Sequence, residues 1–324
     1  MNEIKDQTLV TLAIISYNQE KFIRGAVESA LAQTYSPMEV VISDDSSSDR
    51  TLDIIHDIVS SYKGPHKITV NLNPTNIGLA GNLNKVLSLC KGEIICWAAG
   101  DDISLPGKIE ALVTPLLQNK LLSGTHSYVN EIDADGIFLK TRRPSVPDII
   151  DSPEQVVVNA LEVISQSHAF RRLVYERFGP FSLTVTNESP VMAFRVACLG
   201  GIFLVKKPLT EYRVGVGIST YHGKNIEELS ILEPLKYSNW WASAYKQIAL
   251  DSHAVQLSPD LRGLISKRVR LYQKIFQVNA LPMNVSALCS ALFRRGFFKV
   301  FKAFSRRNAP KIVLFYIYRF RGWV

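Results

Sequence analysis

The sequence predicts an α/β protein in which helices cross a sheet of buried, largely parallel strands, followed by a helical and strongly basic appendage. Three observations predict it. Apolar runs alternate with segments of helical periodicity over the first hundred residues, polar residues follow the runs, and the charge changes sign late in the chain. With 324 residues, 47% hydrophobic and 20% charged, the chain is long enough for one large domain with an appendage, and its composition excludes wholesale disorder.

The predicted strands are nearly continuous apolar runs, the pattern of parallel strands buried on both faces. In chain order we expect strands at 9–15, 38–43, 66–72 and 93–98, helices at 20–32, 49–61, 79–89 and 105–117, then a strand at 122–130, a helix at 190–199 and a strand at 202–205. Residues 225–280 are largely helical in pattern. Strand and helix therefore alternate, as in an open α/β sheet.

The charge is divided unevenly along the chain. Residues 1–260 carry 23 Lys/Arg and 29 Asp/Glu, a net of −6, whereas residues 261–324 carry 14 Lys/Arg and no acid, a net of +14. On a helical wheel for 292–307, phenylalanines share one face and cations the other, a pattern typical of interfacial helices. We predict that residues 283–324 bind an anionic membrane surface. The alternative is a helix packed on the body; nucleic acid is not predicted, because no binding motif accompanies the charge.

Cysteine spacing and terminal composition bear on the compartment. The four cysteines lie far apart without a CxxC pair, which predicts neither a zinc knuckle nor a disulfide framework and fits a reducing compartment. The first residues carry acids where a signal peptide needs bases. The longest apolar run of the tail, seven residues at 312–318, is far short of a membrane span. We expect a cytoplasmic protein, peripheral on the inner face of the cell membrane.

Polar side chains follow three of the predicted strands at their carboxyl ends, where open α/β sheets bind ligands. They are Ser16-Tyr17-Asn18, the run from Asp44 to Asp49, and Gly100-Asp101-Asp102. Neither a GxGxxG turn nor a Walker loop follows the first strand. A crevice lined by carboxylates repels phosphate unless a divalent cation lies between them, and oxygen ligands select Mg²⁺ or Mn²⁺.

Three segments resemble successive blocks of family-2 glycosyltransferases with the GT-A fold, a Rossmann-like mixed sheet that binds nucleotide-diphospho-sugars. They are TLAIISYNQEKFIRGAVESALAQTYSPMEVVISDDSSSDRT, NIGLAGNLNKVLSLCKGEIICWAAGDDISLPGKIE and NESPVMAFRVACLGGIFLVKKPLTEYRVG. The resemblance implies an inverting transferase that moves a sugar from a nucleotide diphosphate to an acceptor hydroxyl. Enzymes that build bacterial surface polysaccharide, such as O-antigen, are the nearest in style, which implies a saccharide or polyprenyl-diphosphate-linked acceptor.

The resemblance also implies the domain organisation. Residues 1–222 would form the glycosyltransferase domain, with a nucleotide-binding half at 1–103 and an acceptor half at 104–222. Beyond the segment that carries the resemblance, the helical pattern predicts an extension at 223–282, and the charge predicts the basic amphipathic tail at 283–324.

The resemblance assigns the metal to the acidic pair after the fourth strand. Asp102 matches the metal-binding carboxylate of the family's DxD-type motif, and Asp101 matches its neighbour, near the ribose or sugar of the donor. A bound Mn²⁺ or Mg²⁺ would neutralise the charge that grows on the departing diphosphate. Because Ala99 replaces the usual first Asp, we expect weaker metal affinity or more reliance on the diphosphate itself.

Further matches imply contacts to the nucleotide. They are Ser16, Tyr17 and Asn18 after the first strand, Asp44 and Asp45 after the second, Asn76 and Gly78 in a donor-side loop, and Arg213 near the end of the core. Tyr17 can lie against the base, and Asp45 matches the residue that hydrogen-bonds a pyrimidine.

Each of these assignments has a purely structural alternative. Residues 44–49 can form an N-cap cluster for the next helix, with Ser48 or Asp49 as the cap. Gly78 can supply a positive φ. Arg213, a candidate diphosphate ligand, can instead pair with Glu211 or another acid.

The family places its catalytic base in an acidic dipeptide shortly before an Arg-bearing helix. Aligning that pattern on Arg195, itself expected to be structural, puts Glu188 on the family's Glu and Ser189 on the Asp that usually acts as base. A serine hydroxyl is not a base near neutral pH, so we predict Glu188 as the base. The alternatives are an N-capping role beside Pro190 and an impaired site.

Other functions stay open at this stage. Ala99 and Ser189 also fit a membrane-associated sugar-nucleotide-binding protein that has lost turnover. A nucleotidyltransferase would need a Gly-rich triphosphate loop after the first strand, and the sequence has none there. His168 falls where related enzymes face the acceptor; a hydrogen-bonded core histidine is the alternative.

Overall fold

A computed structural model describes residues 8–217 and 226–279. The chain divides into two compact units, residues 1–220 with 243–266 and residues 221–242 with 267–324. The predicted domain boundaries at 222 and 282, and the predicted membrane-binding tail at 283–324, lie outside the described residues.

The strands are β1 Val10–Ser16, β2 Met38–Asp44, β3 Lys67–Leu72, β4 Ile94–Ala99, β5 Ile103–Ser104, β6 Leu122–Ile132, β7 Phe138–Arg142, β8 Ile149–Ile150, β9 His168–Arg171 and β10 Gly201–Arg213. The helices are α1 Ile23–Leu31, α2 Thr51–Ser61, α3 Gly78–Leu89, α4 Lys108–Gln118, α5 Pro153–Asn159, α6 Leu173–Phe178, α7 Ser189–Leu199, α8 Ile226–Asp251 and α9 Pro259–Asn279, with a 3₁₀ turn at Ser165–Ser167.

The strands form one ten-stranded mixed sheet in the order β3-β2-β1-β4-β9-β6-β10-β5, with β7 beside β6 and β8 beside β10. β1 lies parallel between β2 and β4, so the carboxyl ends of these three strands meet at one edge. β9 runs antiparallel between β4 and β6 and joins the two halves of the sheet. The predicted mixed α/β sheet is therefore confirmed.

The central strands bury side chains on both faces. Val10, Leu12 and Ile14 of β1 share a core cluster with buried side chains of α1, α2 and α4. The opposite face of β2 meets α3, where Ser43 Oγ donates to Asn82 Oδ1 at 2.6 Å. Because neighbouring residues on a strand point to opposite faces and both faces are covered, β1 and β2 are nearly continuous apolar runs.

Several predicted helix starts are displaced along the chain. The predicted helix at 105–117 begins at Lys108, because Pro106 and Gly107 precede it and Gly107 adopts φ +73°. The predicted helix at 20–32 begins at Ile23. The last strand, β10, is longer than predicted, since pairing with β6 continues across irregularities around Pro208 that interrupt its apolar pattern.

The predicted helical character of 225–280 is confirmed by α8 and α9 over their described residues. Within the second unit, the Trp241 ring stacks on Tyr272 at 5.6 Å, and Tyr237 meets Trp240 edge-on at 5.0 Å. In the part of the chain that the structure describes, no helix is both long and apolar enough to cross a membrane.

Two histidines lie opposite each other in the middle of the sheet. His126 of β6 pairs in register with His168 of β9, and both are fully buried. Among the described residues, no ring nitrogen of either histidine has a hydrogen-bond partner. His168 is thus a core residue, although not the hydrogen-bonded one that the sequence suggested as the alternative to facing the acceptor.

Lowering the pH from 7.5 to 5 is expected to reduce the free energy of unfolding by on the order of 2 kcal/mol for each of these histidines. Burial lowers the pKa of His126 to about 4 and that of His168 to about 3. Below the ordinary pKa of about 6.5, the unfolded chain therefore takes up protons that the folded chain does not. The stability that the two neutral histidines contribute is therefore present at neutral pH and is lost as the pH falls.

Urea unfolding at the two pH values checks this expectation. His126→Leu should show a smaller loss between pH 7.5 and 5 than the unsubstituted chain. The control is His56→Leu, since His56 is exposed. An undiminished loss in His126→Leu would contradict the assignment.

Candidate active site

The loops after β1 and β2 are joined by hydrogen bonds. The backbone amide of Asn18 donates to Ser47 Oγ at 2.8 Å, and the backbone amide of Ser48 donates to Asn18 Oδ1 at 2.8 Å. Asn18 has φ +50°, a left-handed conformation that Asn tolerates. Asp44 is fully buried and accepts from Ser16 Oγ at 2.9 Å and from the amide and hydroxyl of Ser47 at 2.8 and 2.6 Å. Ser16, Asn18 and Asp44 therefore hold the two loops in place.

Tyr17 lies at the carboxyl end of β1 and keeps 44% of its surface exposed. Its neighbour Ser16 is buried. An exposed aromatic ring beside buried polar groups offers a flat apolar surface to a ligand. The structure thus leaves Tyr17 accessible, as base stacking requires.

Asp45 binds the start of α3. Its carboxylate accepts from the amides of Ile77 at 3.0 Å and Gly78 at 2.9 Å and from Asn73 Nδ2 at 2.9 Å. The Gly78 amide also donates to Asn76 Oδ1 at 3.0 Å, and Gly78 adopts the positive φ of +77° that glycine permits. The fold therefore brings Asp45, Asn76 and Gly78 together. The bonds described for them are hydrogen bonds between groups of the protein itself.

The start of α2 is held by another acid. Asp49 Oδ1 accepts from the amide of Thr51 at 3.0 Å and from its hydroxyl at 2.5 Å. Those contacts, which favour the charged carboxylate, lower the pKa of Asp49 although its partial burial acts in the opposite direction. The N-cap residue of α2 is Arg50, which makes no side-chain capping bond, so Asp49 binds the first helical amide from the position before this cap.

The acidic pair after β4 is buried at the edge of the sheet where β1, β2 and β4 end. Asp102 is 4% exposed, and its Oδ1 accepts from the Arg213 amide at 2.8 Å. Its other oxygen, Oδ2, is buried without a hydrogen-bond partner among the described residues. Burial raises the pKa of Asp101, and burial together with the charge of Asp101 raises that of Asp102 well above its ordinary range. A bare buried oxygen with raised proton affinity is a group that a cation would satisfy.

Arg213 packs the acidic pair against the β6–β7 hairpin. Its Nε donates to the Asp101 carbonyl at 3.0 Å, and its Nη1 donates to the carbonyls of Asp133 and Ala134 at 2.8 and 3.0 Å. The guanidinium lies 4.8 Å from the Phe22 ring centroid. Within the described chain Nη2 forms no hydrogen bond, so that nitrogen alone is available to a phosphate.

Gly100 is required by the close approach of two loops. A Cβ at this position would lie 2.1 Å from Gln19 Oε1 and 3.1 Å from Ser16 Cβ. The loop after β1 therefore packs against Gly100, the residue that precedes the acidic pair.

Asp102 is the candidate ligand for a cation at this edge of the sheet. Among the described residues, no group of three or more His, Cys, Asp or Glu is placed to hold a metal ion. Ala99, at the end of β4, contributes no oxygen. The protein thus offers Asp102 Oδ2, and the remaining ligands of a cation would be supplied by a bound diphosphate and water.

Glu188 immediately precedes α7. Its side chain is 8% exposed, makes no capping hydrogen bond, and forms no hydrogen bond or ion pair with another described residue. The Ser189 amide instead donates to Asn187 Oδ1 at 3.1 Å, and Ser189 Oγ lies 2.8 Å from Ser165 Oγ. Glu188 therefore occupies the N-cap position of α7 without making a capping hydrogen bond, and its carboxylate has no hydrogen-bond partner among the described residues.

The family model described as glycosyl transferase family 2 matches residues 11–203, more than half of the chain. The chain belongs to glycosyl transferase family 2. A relative in Escherichia coli, UDP-Glc:alpha-D-GlcNAc-diphosphoundecaprenol beta-1,3-glucosyltransferase WfaP, is 36% identical over 132 residues, 40% of this chain and 51% of WfaP. Across the curated relatives the matched segments span from 27% to 66% of the relative's length.

Solved structures share the fold of this family-2 chain. The mannosyltransferase PcManGT from Pyrobaculum calidifontis, in complex with GDP-Man and Mn²⁺, has a TM-score of 0.59 at 15% identity and covers 97% of this chain and 88% of its own. TarS 1–349 from S. aureus, in complex with UDP-GlcNAc, has a TM-score of 0.53 at 14% identity and covers 83% and 90%. The expected GT-A fold is confirmed.

Lys108 is a site-bracing residue that the sequence did not single out. It is fully buried, and its Nζ donates to the carbonyls of Trp97 at 3.0 Å and Gln166 at 2.7 Å. Burial lowers its pKa to about 8. Thr210 Oγ1 binds the same Gln166 carbonyl at 3.0 Å. Lys108 thus ties the 3₁₀ turn to the end of β4, and only its position in LPGKIE, just after the acidic pair, could have suggested this.

Proposed function

We propose that this chain transfers a glycosyl group from a nucleoside-diphosphate sugar to a hydroxyl of a saccharide acceptor, with inversion at the anomeric carbon and dependence on Mn²⁺ or Mg²⁺. The bare, buried Oδ2 of Asp102 at the meeting point of β1, β2 and β4 carries the proposal. Support comes from PcManGT and TarS, described with GDP-Man and Mn²⁺ and with UDP-GlcNAc.

The donor is bound by the loops after β1 and β2. The exposed ring of Tyr17 stacks on the base, and Asp45 with Asn76 and Gly78 lines the donor-side loop. Ser16, Asn18 and Asp44 contribute to donor binding indirectly, because their hydrogen bonds hold the two loops in place. In this proposal Arg213 Nη2 binds the diphosphate, and Asp101 binds the sugar.

Asp102 would hold the cation together with oxygens of the donor diphosphate. When bound, the cation supplies Lewis-acid neutralisation of the negative charge that develops on the leaving nucleoside diphosphate. Arg213 keeps Asp102 oriented, since its backbone amide occupies Oδ1 and leaves Oδ2 without a partner among the described residues.

Glu188 accepts the acceptor proton. As the hydroxyl oxygen forms its bond to the anomeric carbon, the bond from that carbon to the phosphate oxygen breaks and its electron pair leaves with the nucleoside diphosphate. Attack from the face opposite the leaving group inverts the anomeric carbon. The uncommitted carboxylate of Glu188 suits this step, because no partner competes for its oxygens among the described residues.

A lipid-linked acceptor at a membrane is part of the proposal. The name of WfaP specifies a diphosphoundecaprenol-linked substrate for that relative. The net of +14 in residues 261–324 suits an anionic surface. We therefore place the enzyme at the inner face of the cytoplasmic membrane, as a peripheral protein.

Release of nucleoside diphosphate tests the function. The full chain is incubated with UDP- and GDP-sugars, with Mn²⁺, Mg²⁺ or EDTA, and with saccharide and lipid-linked acceptors, and thermal shift reports donor binding. Metal-dependent release supports the enzyme. Metal-dependent donor binding without release by any donor and acceptor would instead favour the binding protein that Ala99 and Ser189 allow.

Glu188→Gln is expected to lower kcat by roughly 10²- to 10⁴-fold, the usual contribution of a general base. The amide cannot take up the proton, whereas donor affinity should be unchanged because the proposed role of Glu188 is towards the acceptor. The control is Glu154→Gln, an exposed acid at the start of α5. Full activity of Glu188→Gln would show that the base is another residue.

A further inference from the structure

The 3₁₀ turn at Ser165–Ser167 is anchored by its backbone to the core of the sheet. The carbonyl of Gln166 accepts from Lys108 Nζ at 2.7 Å and from Thr210 Oγ1 at 3.0 Å. Lys108 Nζ also donates to the Trp97 carbonyl of β4 at 3.0 Å. Lys108 and Thr210 are both fully buried, so these bonds are shielded from water. The turn is therefore fixed to α4, β4 and β10 at once.

Two of these elements also hold the metal side of the proposed site. Asp102 follows β4 in the chain. Arg213 ends β10, and its backbone amide donates to Asp102 Oδ1 at 2.8 Å. Groups that are built on strands are placed more precisely than groups on loops. A group that is bound to the 3₁₀ turn is thus held in a set position relative to Asp102.

A side chain of the turn reaches the start of α7. Ser165 is buried, and its Oγ shares a hydrogen bond of 2.8 Å with Oγ of Ser189, the first residue of that helix. Glu188 comes directly before Ser189, and its carbonyl accepts from the Met192 amide at 2.8 Å. The backbone of Glu188 therefore belongs to the same helical start that Ser165 holds.

The carboxylate of Glu188 depends on that support. It is nearly buried and has no hydrogen-bond partner of its own among the described residues. A general base needs an oxygen within about 2.6–3.2 Å of the group that gives up the proton, and a displacement of about 1 Å costs roughly 10²-fold in rate. Because no side-chain partner orients this carboxylate, its backbone sets where it lies.

We propose that Ser165 is a positioning residue of the transfer reaction. Through Ser189 it fixes the Glu188 carboxylate relative to Asp102, and the 3₁₀ turn is the link between the two. The inference rests on the proposed transferase function. Ser189, at the position where the family usually has its base, thereby holds the neighbouring carboxylate in place instead of taking the proton.

Ser165→Ala tests the proposal in steady-state assays of the full chain, made with and without Glu188→Gln. In the otherwise unsubstituted chain we expect kcat to fall roughly tenfold with the donor KM unchanged. In the Glu188→Gln background the same change should lower kcat by no more than about twofold, because the base that Ser165 positions is already gone. A packing role would lower kcat by the same factor in both backgrounds and would overturn the proposal.

The second hydroxyl of the pair gives an independent measurement. Ser189→Ala should lower kcat as much as Ser165→Ala does, and the two together should be no worse than either alone. Ser189→Thr keeps a hydroxyl and should recover most of the rate. The control is Ser182→Ala, which breaks an exposed hydroxyl contact of 2.9 Å to Thr184 and should leave kcat unchanged.

Thr210→Val tests the anchor of the turn at its other end. The substitution keeps the shape of the side chain and removes its bond to the Gln166 carbonyl. We expect kcat to fall roughly threefold with the donor KM unchanged. If Ser165→Ala fails to fold, Thr210→Val and Ser189→Ala decide: an unchanged kcat in both overturns the proposal.

The outcomes separate the positioning role from the function on which it rests. If Glu188→Gln is impaired but Ser165→Ala keeps its kcat, or loses the same factor in both backgrounds, the positioning role is wrong and the transferase stands. If Glu188→Gln is fully active, the base and its positioning residue fall together. If the unsubstituted chain releases no nucleoside diphosphate with any donor and acceptor, the proposed function itself fails.

Discussion

Asp102→Asn is expected to lower kcat by roughly 10³-fold or more while leaving the protein folded. The substitution keeps the shape of the side chain, and the amide oxygen can still accept from the Arg213 amide, now at 2.8 Å from Oδ1. It removes the negative charge at Oδ2, the oxygen without a partner among the described residues. Neutralisation of the leaving diphosphate is lost with it.

The stability of the same variant should move in the opposite direction from its activity. Burial and the charge of Asp101 raise the pKa of Asp102, so the folded chain holds this proton more tightly than the unfolded chain. As the pH rises through that range, the charged carboxylate disfavours the fold. Asp102→Asn should therefore melt at the same or a higher temperature at pH 7.5.

Kinetics, metal titration and thermal melting check Asp102→Asn together. The control is Asp135→Asn, an exposed acid in the β6–β7 turn. Normal turnover of Asp102→Asn without added metal would overturn the mechanism. A lowered melting temperature would mean that the loss of activity reflects misfolding.

Arg195→Met is expected to destabilise the protein by about 3–5 kcal/mol, the cost of leaving a buried charge unpaired. Arg195 and Asp251 are 1% and 3% exposed and form a bidentate pair, with Nε–Oδ2 at 2.7 Å and Nη2–Oδ1 at 2.9 Å. The guanidinium also donates to the Gly179 carbonyl at 2.9 Å and lies 4.5 Å from the Phe181 ring centroid. Without Arg195, Gln247 remains as a donor to the buried Asp251 carboxylate.

Urea unfolding with a double-mutant cycle measures this effect. Arg195→Met with Asp251→Asn should be less unstable than the sum of the single variants, because the stranded charge is removed. The control is Arg24→Met, which breaks an ion pair whose partners are 54% and 55% exposed and should cost no more than about 1 kcal/mol. If Arg24→Met lost as much stability as Arg195→Met, the argument that burial of the ion pair causes the loss would be contradicted.

The central strands and the donor side of the site were predictable from local sequence. β1, β2 and β4 are apolar runs followed at once by polar residues, and their pairing places those residues at one edge. The short strands were not predictable. β9 has only four residues, and its antiparallel place between β4 and β6 depends on partners far along the chain.

What the sequence by itself determined is the set of acids at the carboxyl ends of the strands, because hydrophobic runs and the residues that end them are local patterns. Only the tertiary structure decided which acids remain available. Asp44 and Asp45 are occupied by hydroxyl, amide and backbone donors, whereas Asp102 Oδ2 has no hydrogen-bond partner among the described residues. The physical reason is that desolvation and hydrogen-bond satisfaction depend on neighbours that the fold brings together from distant parts of the chain.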